Sequence, residues 1–161
     1  MIKKYIAYLF GKKSELTDLS AKDALLAKVI LDIHRKRTHS GFVFVPLSFL
    51  KPIHAIDRKN ALLATEKRAE QLREVKDKLL EKRKITREVL AEYLPSVSSI
   101  KVVQESVNSV IAYEGNGRLT ALQSVFTPAD EIMVEVEKYY FRNPEKILRR
   151  MNRVRRLNGL C

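Results

Sequence analysis

Residues 110–122 read Val-Ile-Ala-Tyr-Glu-Gly-Asn-Gly-Arg-Leu-Thr-Ala-Leu, and the fold turns on how this stretch is read. Val107 to Tyr113 is rich in β-branched and aromatic residues and predicts a strand. The Glu114-Gly115-Asn116-Gly117-Arg118 turn then opens a helix running to about Phe126. A strand leading through a glycine turn into a helix is the arrangement that an anion-binding turn requires. The glycines allow positive φ and close backbone approach, the first amides of the helix point outward, and the helix dipole favours negative charge there. Arg118 can add a bidentate phosphate contact. A plainer reading stands beside this one: Gly115 and Gly117 make a tight turn while Arg118 pairs with Glu114 or another carboxylate. Spacing alone leaves the two even.

Working outward, Ile100 to Gln104 predicts the partner strand, with Asn108-Ser109 near the bend. Thr86 to Leu94 predicts a short helix stopped by Pro95. Thr65 to Lys84 predicts a long helix with Leu72, Val75, Leu79 and Leu80 on one stripe, its alternating charges forming a solvated face. Phe42 to Leu50 reads as a single strand that Pro46 places at a sheet edge, and Lys51 to Asn60 as a loop. Ser20 to Arg37 predicts a helix closed by the positive charge of His34 to Arg37. Downstream, Ile132 to Phe141 alternates Ile and Val with Glu135 and Glu137, as a strand with one face in water does. Asn143 and Pro144 begin a last helix with Ile147, Leu148, Met151 and Val154 on one side. The expectation is an α+β fold, a small mixed sheet with flanking helices. Its three parts are an N-terminal helical extension over 1–41, a domain over 42–141 and a basic helix over 142–161.

The formal charge of +12 is unevenly spread. Residues 1–50 carry net +5, residues 51–141 net +1 and residues 142–161 net +6. Basicity therefore points to nucleic acid only through the flanks, above all Arg149, Arg150, Arg153 and Arg156 in the last helix, where neutralised phosphates contribute by counterion release. The single cysteine, Cys161, excludes a disulfide framework and points to a reducing compartment. Tyr5 to Phe10 imitates a signal peptide but stops at Gly11-Lys12-Lys13, and no apolar run approaches a bilayer span. A cytoplasmic protein is expected. His34, His39 and His54 share no ligand spacing, so no metal site is expected.

The order of elements and the 110–122 stretch resemble the ParB N-terminal and sulfiredoxin superfamily. That superfamily carries Gly-x-x-Arg-x-x-Ala at a strand-to-helix turn, matched here by Gly115, Arg118 and Ala121. Val43 to Pro52 resembles its opening strand, Asp57-Arg58 the arginine that follows, and Thr65 to Lys84 its helix before the central strands. The likeness covers roughly residues 42–141. It implies that Gly115, Asn116, Gly117 and Arg118, with Arg58, line a nucleotide or phosphate site, the ligand being a nucleoside triphosphate with Mg. Sulfiredoxins place a cysteine where Asn116 stands, so phosphoryl transfer to an oxidised thiol is not expected. Chromosome-partitioning members carry paired arginines at Gly117-Arg118, and no helix-turn-helix domain follows here. The Fic loop also reads Gly-Asn-Gly-Arg, but its catalytic histidine falls on Val110. Binding of a nucleotide, with DNA or RNA held by the flanks, is the leading expectation. A phosphotransferase or nuclease with Glu114 or Asp57 as general base is the second. A protein-interaction module with a purely structural loop is the third.

Overall fold

The computed structural model describes residues 14–96 and 98–160, with side chains from residue 21 on. The signal-like Tyr5 to Phe10 stretch and Cys161 lie outside the described residues. The chain is α+β: six α-helices and a six-stranded mixed sheet among the described residues. In chain order these are α1 (Ser14–Lys36), β1 (His39–Pro46), β2 (Leu50–Pro52), α2 (Lys59–Glu74), α3 (Lys76–Lys82), β3 (Lys84–Ile85) and α4 (Arg87–Tyr93). Then follow β4 (Lys101–Ser106), β5 (Ser109–Glu114), α5 (Asn116–Val125), β6 (Met133–Tyr140) and α6 (Glu145–Leu157).

The sheet order is β1-β6-β4-β5-β2, with β3 beside β6. β1–β6 and β4–β5 are antiparallel, while β4–β6 and β2–β5 are parallel. Alternation along the central strands divides the interior into two cores. Val102, Val110 and Ala112 join Ala69, Leu72, Leu90, Leu119 and Leu122 on the face covered by α2, α4 and α5. Val103, Ile111, Tyr113 and Tyr139 meet Val29, Ile33, Ile147, Met151 and Val154 on the face covered by α1 and α6. The two terminal helices thus share one core with the sheet. Asp32 on α1 is buried and accepts hydrogen bonds from Arg35 and from Arg150 on α6, linking the pair.

Three local expectations are corrected. The strand expected over Phe42 to Leu50 is two strands at opposite edges, separated by a 3-10 turn at Leu47–Phe49. Pro46 stands opposite Met133 at a position whose amide would face away from β6, as suits an edge strand; Leu47 N donates to Ile132 O at 2.8 Å and the chain then leaves β6 for β5. The helix expected over Thr65 to Lys84 starts at Lys59 and breaks at Val75 (φ −113°, ψ 11°). It ends with Arg83 in the left-handed region, which frees Lys84–Ile85 to pair with β6. Glu135 and Glu137, expected to decorate a solvent face, are both engaged. Arg87 N donates to Glu135 at 2.9 Å, and Ser40, Ser99 and Lys101 donate to Glu137. Burial alone would raise the Glu137 carboxyl, but the bonds from Lys101 and Ser99 hold it below its ordinary value. Among the described residues no helix is long and apolar enough to cross a membrane.

Candidate functional site at the start of helix α5

β5 is buried on both faces from Val110 to Tyr113, so the turn that ends it is held rigidly. Gly115 takes φ +87° there, and a Cβ on it would lie 2.8 Å from Ile100 Cγ1 and 3.3 Å from Ile100 Cα. Only glycine meets both demands without strain. Leu119 N donates to Gly115 O at 2.9 Å and begins the helical ladder. The amides of Asn116, Gly117 and Arg118 are the helix's leading donors, and no described residue accepts from them. The first turn carries no acidic residue and no side-chain cap.

The side chain of Asn116 points into the fold. Its Oδ1 accepts from Ile53 N at 2.9 Å and from His54 N at 3.4 Å, and its Nδ2 donates to Ala112 O at 3.0 Å. Asn116 therefore ties the chain leaving β2 to the end of β5, and what remains to offer an anion is its backbone amide. Gly117 meets α2 instead. A Cβ there would lie 2.7 Å from Arg68 Nη1 and 3.8 Å from Thr65 Oγ1. The missing side chain is what admits Arg68 to the first turn of α5.

Arg118 is buried, and its guanidinium makes no hydrogen bond or ion pair with a described residue. Burial lowers its pKa most and the neighbouring charge of Arg68 lowers it further, while Glu114 acts in the opposite sense. Arg68 likewise has no carboxylate partner among the described residues. Thr65, one helical turn before Arg68, is buried, and its Oγ1 is the one enclosed side-chain polar atom among the described residues without a hydrogen-bond partner. Two guanidiniums, a lone hydroxyl and three outward amides thus meet at the positive end of a helix. Each element disfavours the others until negative charge is placed among them. Arg118 also lines a cleft of about 260 Å³ with Phe42, Arg87, Ser96, Ser98 and Ser99; Arg87 lies over the Phe42 ring at 3.8 Å.

Glu114 stands beside this cluster and accepts from Ser98 Oγ at 2.8 Å. Asp57 and Arg58 lie elsewhere, in a separate cleft of about 310 Å³ with Lys22, Asp23, His54 and Asn158, where Arg58 pairs with Asp23 at 3.3 Å. The two carboxylates considered as bases are therefore not brought together. A larger cavity, about 620 Å³, sits at the far end of α5 among Leu47, Phe126, Pro128 and Met133 and holds none of these groups.

On α6, Arg149, Arg153 and Arg156 are exposed along an open groove with Lys146 and Asn152. Arg150 is engaged with Asp32. Arg155, which the helical pattern does not single out, is buried and donates through Nε to Pro52 O at 2.9 Å. Thr65 and Arg68 were also missed by sequence reasoning. They lie some fifty positions before the glycine turn, and only the packing of α2 on α5 joins them to it. No protein-family profile, curated protein or solved structure matches the chain.

Proposed function

We propose that this protein binds a phosphate-bearing ligand, a nucleotide in particular, at the N-terminus of α5. The amides of Asn116, Gly117 and Arg118, the guanidiniums of Arg68 and Arg118 and the hydroxyl of Thr65 would hold its phosphate. One observation carries the reading: two guanidiniums that pair with no described residue converge on the positive end of α5 beside a buried hydroxyl without a partner among the described residues. A phosphate supplies acceptors for all of them, and hydrogen bonds to a charged acceptor contribute about 1.5–3 kcal/mol each. The resemblance to the ParB and sulfiredoxin superfamily implies the same placement. No group of three metal-ligating side chains gathers among the described residues, so Mg would arrive with the nucleotide's own phosphates. Calorimetric titration with nucleoside triphosphates and with inorganic phosphate tests the reading, and Arg118→Ala should remove the binding while leaving the fold.

Of the two carboxylates considered as general bases, Glu114 stands beside the cluster and Asp57 faces another cleft, so turnover at this site would fall to Glu114. Association with DNA or RNA rests on a separate observation, the row of Arg149, Arg153 and Arg156 exposed along one groove. A salt titration of nucleic-acid affinity tests it.

A further inference from the structure

Among the described residues β1 is a sheet edge. Its hydrogen-bonded neighbour is β6, and among the described residues no strand lies on its other side. The register fixes which backbone groups are left over. Leu47 bonds Ile132 across the end of the ladder, and hydrogen-bonded pairs alternate along antiparallel strands. Val45, Val43, Gly41 and His39 therefore face β6 with their amides and carbonyls, while those of Ser40, Phe42 and Phe44 point away from the sheet.

Natural edges of this length are usually guarded by charge, proline or a bulge, and β1 has one such guard, Pro46 at its last position. Here residues 38–50 form the longest stretch of the chain without a charged side chain, and the side chains of Phe42 and Phe44 are 43% and 39% exposed. The cations over these rings, Arg87 on Phe42 and Lys84 on Phe44, come from other elements, and Arg87 is paired with Glu135, so the strand itself offers a second copy of this +12 chain an edge without charge of its own.

We propose that two copies of this chain associate through β1, pairing antiparallel about a twofold axis at Phe42. The register is self-complementary: Phe42 faces the partner's Phe42, and Ser40 faces the partner's Phe44. All three outward amides and carbonyls then gain partners, and the phenylalanine side chains share one face, with Arg87 over Phe42 and Lys84 over Phe44. The contact is small, so the dimer forms in the micromolar range, and higher salt strengthens it by screening the repulsion between two basic copies. Phe42 and Arg87 also line the cleft beside Arg118, but the pairing rests on the strand edge alone and not on the proposed function.

Sedimentation velocity from about 1 to about 500 µM, in about 0.1 and about 0.5 M NaCl, tests the pairing. The expected result is a monomer–dimer equilibrium that tightens several-fold with salt. Phe42→Lys, which opposes two like charges at the axis, should leave a monomer with an unchanged circular dichroism spectrum. Amide hydrogen exchange gives a variant-free reading: Ser40, Phe42 and Phe44 should be protected at high concentration and exposed at low. A monomer at every concentration and salt overturns the proposal. So does a dimer indifferent to Phe42→Lys, or edge protection that persists in the monomer, which would mean that residues 1–13 cover the strand.

Discussion

Arg68 Nη1 stands 2.7 Å from the place a Cβ would occupy on Gly117. A cation is thus seated over the first turn of α5, next to the buried cation of Arg118, at the end of the helix where a cation is least welcome. An anion bound there, as proposed, would relieve this arrangement.

Gly117→Ala separates stability from binding. Alanine is preferred over glycine in a helix by about 1 kcal/mol, and the atom it displaces is the far end of a flexible side chain. Denaturant unfolding should show unchanged or slightly raised stability. Phosphate affinity should fall about tenfold, because the new methyl group moves Arg68 off the turn.

Gly115→Ala should act in the opposite way. A left-handed φ costs a non-glycine residue about 1–2 kcal/mol. The clash with Ile100, whose backbone as well as side chain is close, adds to that cost. A loss of about 3 kcal/mol in urea unfolding is expected, with binding lost only as far as the fold is lost.

Asn116→Ala removes the acceptor of His54 N, one of the two acceptors of Ile53 N, which keeps Ala112 O at 3.0 Å, and the donor to Ala112 O. Losing a hydrogen bond whose partners keep others costs about 0.5–1.5 kcal/mol. Chemical denaturation should register a loss of that size. Asn116→Asp restores the acceptor but not the donor, and should recover part of it.

Glu105 links β4 to α6 and to the edge strand β2. Burial alone would raise its carboxyl, but Lys51, Asn152 and Ser109 hold it down to about 2. A group whose pKa is lower folded than unfolded stabilises the fold above its unfolded value, and that contribution is lost as the pH falls towards the folded one. Stability should therefore decline from about pH 4.5 towards pH 2. Glu105→Gln should flatten this part of the thermal-denaturation profile.

The arginines of α6 should divide into two groups. Replacing Arg149, Arg153 and Arg156 with alanine should leave stability unchanged and, if each meets one duplex phosphate, lower the salt slope of DNA affinity by about 2.7. Arg150→Ala should instead destabilise the protein by about 2 kcal/mol, because among the described residues buried Asp32 then keeps only Arg35, whose side chain is 76% exposed.

What could be read from the sequence was local. The strand, glycine turn and helix at 110–122 are written in adjacent residues, because β-branched alternation, a left-handed glycine and a helix start need no distant partner. The apolar side of α6 was legible for the same reason. The split of residues 39–52 between two sheet edges was not, since the valines and phenylalanines before Pro46 and the leucines after it suit strands equally well. Which neighbours they pair with is decided by β5 and β6. The break at Val75 has no glycine or proline to announce it. At the site, Asn116 reads as a ligand-facing residue until the amides of Ile53 and His54 are brought to it. Thr65 and Arg68 read as part of a solvated helix until α2 settles on α5.

The most direct test of the anion site is calorimetric titration of ATP, CTP and inorganic phosphate into the wild-type protein and into Arg118→Ala and Arg68→Ala. The account predicts saturable binding by the wild type, its loss in Arg118→Ala and at least a tenfold weakening in Arg68→Ala, with all three proteins folded. No binding of any of these ligands to the wild type at millimolar concentration, or equal binding by all three proteins, would contradict it.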